Sequence, residues 1–152
     1  MASREIKFLH PDIIGRYELF SEEMGNAGLK FVVTCTARSL AEQVMLFCQG
    51  RMELRYVNQI RGRLNFAPLA PDGNKIVTWT LNSKHVVDER NHYSKAFDIV
   101  LFDVLGNHTW NIKVDVNNNE IPDYLEAGKI GEKCGLIWGG RFKTPDYCHF
   151  EI

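Results

Sequence analysis

Histidine and carboxylate side chains occur together in three short segments of this chain, each at or beside a predicted strand. The segments are SKH (83–85), AFD (96–98) and DYCH (146–149). Two histidines and one aspartate suit a catalytic zinc ion, because three protein ligands leave a fourth position for water. Zinc makes water a strong nucleophile near neutral pH. These segments indicate a zinc hydrolase, provided that a folded sheet brings them together.

Such a hydrolase also needs a base that accepts the proton of the water and is not itself a ligand. Asp146, three residues before His149, is the nearest candidate. Residues three apart on a regular strand point to opposite faces, so the backbone must bend at Tyr147 or Cys148. From the residue types alone, an ordinary edge strand with surface or hydrogen-bonded histidines remains an alternative.

A second segment, DVNNNEIPDYLE (115–126), has the ligand spacing of a calcium-binding EF-hand loop. Oxygen-bearing side chains stand at its positions 1, 3, 5, 9 and 12, which are Asp115, Asn117, Asn119, Asp123 and Glu126. Position 6 is Glu120 instead of glycine, and the apolar residue stands at position 7 instead of 8, so neither the turn nor the register is assured. The alternative is an Asn-rich turn whose acidic residues favour the start of the next helix.

Composition bounds the class of protein. The chain has 152 residues, of which 45% are apolar and 24% charged, with a formal net charge of -1. We expect one domain over residues 1–152, a monomer, and no nucleic-acid or membrane partner. The N-terminus lacks the apolar core of a secretory signal, so we expect a cytoplasmic protein whose cysteines are reduced.

Hydrophobic periodicity predicts an α+β fold with an antiparallel sheet. Helices are expected over 11–28, from Ser39 to about Gly50, and over 122–135; Ser39 and Glu42 form a capping box. A short helix and a surface loop follow the second of these helices. Strands are expected at 31–36, 75–82, 96–102, 110–116, 136–140 and 147–152.

Several motifs together resemble those of the zinc D,D- and L,D-peptidases that cut peptidoglycan stem peptides, especially the L-alanyl-D-glutamate endopeptidases found as phage endolysins. The family pattern SxHxxGxAxD, Trp-Gly-Gly and DxxHFE appears here as SKHVVDERNHYSKAFD, WGGRF and DYCHFE, and TARSLAEQ and CQGR match its upstream arginine helix. The resemblance covers about residues 30–152. It implies a single-domain fold like that of hedgehog and D-alanyl-D-alanine peptidases, an antiparallel sheet with flanking helices.

The resemblance also implies roles for individual residues. Zinc would be held by His85, Asp98 and His149, and Asp146 would be the general base. Arg38 would stabilise the negative charge that develops on the scissile carbonyl oxygen; its alternative role is a surface ion pair.

The segment between the first two expected ligands departs from the family pattern. His85 and Asp98 are 13 residues apart, which is wider than in the pattern, and Ser94 replaces a glycine. A longer loop, VVDERNHY (86–93), accommodates the difference because the entropy cost of loop closure rises slowly with length. This loop contains His92, an alternative to His85 as the ligand. We prefer His85 because it keeps the SxH context.

The resemblance implies a bacteriolytic zinc endopeptidase that cuts the L-alanyl-D-glutamate bond of the stem peptide during phage lysis. A separate membrane-permeabilising protein would release it from the host cytoplasm to the cell wall. The alternatives are a D-alanyl-D-alanine carboxypeptidase or dipeptidase, and a non-catalytic wall-binding module with a degenerate site.

Overall fold

The computed structural model describes residues 2–89 and 92–152 of the chain. Within them the helices are α1 (Pro11–Asn26), α2 (Leu40–Cys48), α3 (Leu54–Arg63) and α4 (Asp123–Lys133). The strands are β1 (Phe31–Cys35), β2 (Arg38–Ser39), β3 (Val86–Val87), β4 (Ala96–Phe102), β5 (His108–Thr109), β6 (Ile137–Trp138) and β7 (His149–Glu151). Short 3-10 turns lie at Ile6–Phe8, Pro71–Gly73 and Gly139–Arg141.

The main sheet has the strand order β1-β4-β7-β6, and β5 also pairs with β4. All of these pairings are antiparallel, whereas β2 and β3 form a separate parallel pair. The α+β fold with an antiparallel sheet and flanking helices is therefore confirmed.

Local hydrogen bonds explain where helices α1 and α2 begin. The His10 ring accepts a hydrogen bond from the backbone N–H of Asp12 at the start of α1, where Pro11 occupies the first turn. At the start of α2 the Ser39 side chain accepts one from the N–H of Glu42, as the capping motif predicted. No helix in the described part of the chain has the length and apolar character needed to span a membrane.

The hydrophobic core lies between one face of the sheet and helices α1 and α4. Phe97 of β4 stacks on Phe150 of β7 with ring centroids 5.4 Å apart, and Phe20 of α1 packs on both rings. Alternate residues of β4 enter this core, namely Phe97, Ile99 and Leu101. Since successive side chains of a strand point to opposite faces, Asp98 projects from the other face.

Two predicted strands are wrong. Residues 75–82 form no strand, and 110–116 form turns after the two-residue strand β5. Both segments are rich in residues that favour strands, but a strand needs a hydrogen-bonded neighbour, and neither segment lies beside one in the described structure. Their large apolar side chains stay exposed; Trp79 is 64% exposed and Trp110 60%.

Candidate active site

The sheet register brings two of the predicted zinc ligands together. Asp98 of β4 lies directly opposite His149 of β7, and on its other side it lies opposite Cys35 of β1. Residues opposite one another in an antiparallel pair project to the same face. A row of three metal-capable side chains therefore crosses the face of the sheet that is turned away from the core.

His85 reaches this row from the loop that precedes β3. Its backbone N–H is held by Ser83 Oγ (3.3 Å), and its carbonyl accepts a hydrogen bond from Arg38 N (2.9 Å). The ring is buried, with Nδ1 2.8 Å from the carbonyl oxygen of Thr36. Because a carbonyl only accepts, Nδ1 must carry the proton, which leaves the lone pair of the neutral ring on Nε2.

Three ligand atoms converge at the centre of the site. His85 Nε2 lies 3.1 Å from Asp98 Oδ1 and 3.3 Å from His149 Nδ1, and the last two atoms are 2.9 Å apart. Ligands about 2.0–2.1 Å from a tetrahedral zinc ion lie about 3.3 Å from one another. The three atoms are therefore already spaced close to what a zinc ion requires.

The outer nitrogen of His149 is also held by the protein. His149 Nε2 lies 3.0 Å from Glu151 Oε2, and His149 itself is 8% exposed. Metal-binding histidines commonly donate their second N–H to a carboxylate or a backbone carbonyl, which fixes the ring and its tautomer. Both imidazoles show this arrangement, through Glu151 and through Thr36. The donor set therefore fits zinc in its outer partners as well as in its ligand atoms.

The three ionisable groups alter the pKa values of one another. Burial lowers the pKa of His85, but the charge and hydrogen bond of Asp98 outweigh it and raise that pKa to about 10. Burial also lowers the pKa of His149, but its hydrogen bonds to Asp98 and Glu151 outweigh this effect and raise that pKa to about 9. Burial raises the pKa of Asp98, yet the two imidazoles hold it well below its ordinary value. Protons therefore compete with a cation for these atoms.

Cys35 offers a different third ligand. Its Sγ, His85 and Asp98 also lie within 4.8 Å of one another. However, Sγ is 3.5 Å from His85 Nδ1, the nitrogen that already donates to Thr36, and it accepts a hydrogen bond from Arg38 Nη2 (3.2 Å). His149 instead faces the nitrogen that carries the lone pair. The geometry favours His149 over Cys35.

The loop between His85 and Asp98 is closed at its base. The carbonyl oxygen of Lys84 accepts a hydrogen bond from Lys95 N (2.8 Å), and Ser94 Oγ lies 3.2 Å from it. Ser94, which replaces the glycine of the family pattern, is fully buried. Residues can therefore be added beyond this closure without moving His85 or Asp98.

The loop also contains His92, the alternative ligand, which is exposed, whereas His85 is buried among the other site residues. The site geometry favours His85. Arg90 and Asn91, which belong to the same inserted segment, lie outside the described residues.

Asp146 lies one turn before His149. The N–H of His149 is 3.3 Å from the carbonyl oxygen of Asp146, and the chain turns at Tyr147 and Cys148, as a shared site requires. The Cys148 thiol donates a hydrogen bond to Asp146 Oδ1 (3.0 Å). Burial, together with the charges of Asp98 and Asp146, raises the pKa of this thiol. Nothing in the sequence indicated this contact.

The Trp-Gly-Gly segment has a steric role in the site. A Cβ atom on Gly139 would lie 2.5 Å from the carbonyl oxygen of Asp146 and 3.0 Å from His149 Cβ. On Gly140 it would lie 2.3 Å from the Trp138 ring. Glycine is therefore needed where the turn that carries Asp146 and His149 crosses the end of β6.

Arg38 borders the ligand cluster from β2, just before α2. Its Nη2 lies 3.5 Å from Asp98 Oδ2, and its Nη1 lies 3.4 Å from Oε1 of Gln43. Its Nε is buried and has no hydrogen-bond partner among the described residues. Gln43, which sequence reasoning gave no role, is fully buried and also donates to the carbonyl of Thr80 (2.7 Å). Gln43 therefore links Arg38 to residues 75–82, where the predicted strand is absent.

The site opens into a cleft of about 740 Å³. One wall is residues 76–80, and the opposite wall is residues 142–146. The exposed apolar side chains of the first wall explain why that segment resembled a strand in sequence. They line a space large enough for several residues of an extended peptide.

The second predicted cation site, residues 115–126, forms a compact loop. Glu120 has a φ of 66°, so it makes the left-handed turn for which glycine is usual. Its N–H donates to Asp115 Oδ2 (2.9 Å), and the N–H of Asn119 donates to Asp115 Oδ1 (3.1 Å). Glu126 Oε2 accepts hydrogen bonds from the side-chain amides of Asn117 (3.0 Å) and Asn119 (2.9 Å).

Asp123 completes this loop, and both of its carboxylate oxygens accept a hydrogen bond from the N–H of Val116 (3.1 Å). Burial and the nearby charges of Asp115 and Glu126 raise the pKa of Asp123 despite that bond. Asn117 Oδ1 is buried without a hydrogen-bond partner among the described residues. All five side chains that were predicted to bind calcium therefore take part in the hydrogen bonds of one loop.

Known proteins are similar to this chain in sequence and in fold. A relative from Bacillus subtilis (strain 168), the peptidoglycan L-alanyl-D-glutamate endopeptidase CwlK, is 29% identical over 145 residues, which are 95% of this chain and 73% of the relative. The crystal structure of the Serratia marcescens L-Ala D-Glu endopeptidase ChiX superposes with a TM-score of 0.56 at 20% identity, covering 100% of this chain and 88% of that one. The family model described as D-alanyl-D-alanine carboxypeptidase matches residues 77–152, which contain all three ligand candidates and Asp146. The chain belongs to the D-alanyl-D-alanine carboxypeptidase family of metallopeptidases.

Proposed function

We propose that this protein is a zinc-dependent endopeptidase that hydrolyses the L-alanyl-D-glutamate bond of peptidoglycan stem peptides. The observation that carries the proposal is the convergence of His85 Nε2, Asp98 Oδ1 and His149 Nδ1 within 3.3 Å of one another. The choice of bond is supported by the names of the Bacillus and Serratia proteins, both of which are L-alanyl-D-glutamate endopeptidases.

The residues around the ligands supply the remaining chemistry. Zinc, when bound, supplies a Lewis acid that lowers the pKa of water to about 7. Asp146 accepts the proton of the attacking water and returns it to the leaving amine; its Oδ1 is oriented by Cys148, which leaves Oδ2 for this transfer. Arg38, held by Gln43 and Asp98, stabilises the negative charge on the carbonyl oxygen.

Product analysis tests the bond that is cut. Purified peptidoglycan is digested with the zinc-loaded protein, and the products are identified by mass spectrometry and amino-group labelling. New D-glutamate amino groups support the proposal. Release of free D-alanine would instead support the activity in the family description, a D-alanyl-D-alanine carboxypeptidase. A protein that sediments with cell walls but releases no peptide would be a binding module.

We propose that the protein acts in phage lysis, accumulating in the host cytoplasm until a separate membrane-permeabilising protein releases it. The proposal rests on the sequence resemblance to endolysins. Expression in a bacterial host should cause lysis only when a membrane-permeabilising protein is expressed with it. Lysis by the protein alone would contradict the proposed dependence on that partner.

We also propose that residues 115–126 bind calcium. Three features support an EF-hand-like site: the left-handed Glu120, the two backbone N–H groups that donate to Asp115, and the Asn117 oxygen, which has no hydrogen-bond partner among the described residues. A bound calcium ion would stabilise the loop that leads into the first turn of α4. Calorimetric titration of calcium into zinc-loaded protein tests this proposal, and the absence of heat or of any thermal stabilisation at millimolar calcium would contradict it.

A further inference from the structure

The loop of residues 142–146 forms one wall of the cleft beside the catalytic groups. The carbonyl oxygen of Gly139 accepts hydrogen bonds from Phe142 N (3.0 Å) and Asp146 N (2.9 Å), so both ends of the loop are fixed to one atom. Pro145 restricts the backbone further. The Phe142 ring lies 5.8 Å from the ring of His149. Lys143 and Thr144 therefore face the cleft from a constrained loop. This loop lies between His149, a proposed zinc ligand, and Asp146, the proposed base.

Among the residues that the structure describes, three cations line the cleft, and Lys143 differs from the other two. Arg38 lies beside Asp98, and Lys84 donates to the carbonyl oxygen of Ile152 (3.2 Å). Lys143 makes no hydrogen bond or ion pair with any residue that the structure describes, and its side chain is exposed to the cleft. Of the three described cations in the cleft, Lys143 is therefore the one that remains available to bind a substrate.

The acids of the cleft make such a cation necessary for an anionic substrate. Asp98, Asp146 and Glu151 all line the cleft. When glutamate continues a peptide through its side-chain carboxyl, as in bacterial stem peptides, its α-carboxylate stays free on the carbon that bears the scissile nitrogen. That carboxylate must lie close to Asp146, and without a neighbouring cation the two negative charges would repel.

We propose that Lys143, assisted by the hydroxyl of Thr144, binds the free carboxylate of the glutamyl residue on the leaving side of the scissile bond. This inference rests on the proposed function and names the group that confers its substrate preference. A lysine ammonium and a neighbouring hydroxyl can both donate to one carboxylate. The site would favour a free glutamyl carboxylate over its amide.

The test compares two synthetic stem peptides that differ only at this group, L-alanyl-γ-D-glutamyl-L-lysine and its D-isoglutamine counterpart, both N-acetylated. Lys143→Gln should lower kcat/KM about fivefold to tenfold for the acid, mainly through KM, and less than about twofold for the amide. Lys143→Arg should keep most of the preference for the acid. Lys129→Gln on α4, outside the cleft, makes the same change in net charge and should leave both rates unchanged.

The outcomes separate this inference from the proposed function. An equal loss on both substrates, or no loss on either, overturns the role of Lys143 while the endopeptidase activity stands. Wild-type protein that carries zinc but cleaves neither peptide contradicts the proposed function, and the carboxylate site with it.

Discussion

Two regions of this protein gather metal-type side chains, and they are organised in opposite ways. In the site on the sheet, His85, Asp98 and His149 come from three separate segments, and their ligand atoms face one another. In the loop of residues 115–126, the carboxylates come from one segment and accept hydrogen bonds from the loop itself. The first site is positioned by the fold, whereas the second must exchange internal hydrogen bonds for a cation.

This difference predicts how strongly each region depends on its ion. Loss of zinc from its preorganised ligands should abolish catalysis, because the side chains of the site do not supply the Lewis acid. Loss of an ion from the loop leaves a hydrogen-bonded turn in place. Changes at the first site should therefore have large effects and changes at the loop small ones.

The largest expected effect separates the two candidate histidines. His85→Ala should lower kcat/KM by about a thousandfold or more and remove most of the bound zinc, because the ion loses one of three ligands. His92→Ala is the matched control and should keep both activity and zinc. Metal analysis and steady-state kinetics on the same preparations measure this. Loss of zinc from the His92 variant alone would reverse the assignment.

Replacing the proposed base should separate chemistry from metal binding. Asp146→Asn keeps the size of the side chain but cannot accept the proton, so kcat should fall about a hundredfold to ten-thousandfold. Zinc content should stay at the wild-type level, since the ligand atoms are untouched. A variant that retains wild-type kcat would remove Asp146 from the mechanism.

The dependence of zinc binding on pH follows from the pKa values of about 10 for His85 and about 9 for His149. Without zinc, protonation of these rings stabilises the fold fully below their ordinary pKa of about 6.5, and this contribution is lost as pH rises towards 9–10. Zinc requires the neutral rings, so the rise in Tm that zinc causes should grow between pH 6 and pH 9. Thermal unfolding with and without buffered zinc measures the difference. A zinc effect that shrinks over this range would contradict the competition.

A smaller effect is expected from the outer partner of His149. Glu151→Gln keeps an acceptor but removes the charge, so zinc affinity should fall about tenfold. Glu132→Gln, which breaks a surface pair with Arg141, is the matched control and should leave zinc affinity unchanged. Competition with a chelator measures both variants. Equal zinc affinities of the two variants would show that Glu151 does not support zinc binding.

The smallest effect on activity is expected from the loop. Asp115→Asn should abolish the stabilisation that calcium provides, while kcat/KM changes less than about twofold in zinc-loaded protein. Unfolding curves and rates at several calcium concentrations check both statements. A large loss of activity would show that the loop is coupled to the catalytic residues and that its organisation is not independent.

Features that depend on neighbours in the chain are among those that the sequence predicted correctly. Helix α1 and the Ser39 cap of α2 follow from periodicity and local hydrogen bonds. The strands expected at 75–82 and 110–116 are absent because strand formation depends on a distant partner that sequence does not specify.

The same limit applied at the site. The candidate ligands came from motifs, but the Thr36 carbonyl that orients His85 is a backbone group and leaves no side-chain signal in sequence. Glu151 could have been found, since residues two apart on a strand share a face, and it stands two residues after His149. The hydrogen bond from the Cys148 thiol to Asp146 could not have been found from the sequence, because it depends on the geometry of the turn.

The central claim is that one zinc ion binds to His85 Nε2, Asp98 Oδ1 and His149 Nδ1. A crystal structure of the zinc-loaded protein, with anomalous diffraction recorded at the zinc edge, tests it most directly. The predicted result is one strong peak about 2.0–2.2 Å from each of these three atoms. A peak bonded to the sulfur of Cys35, or one that lies away from the three atoms, would contradict the account.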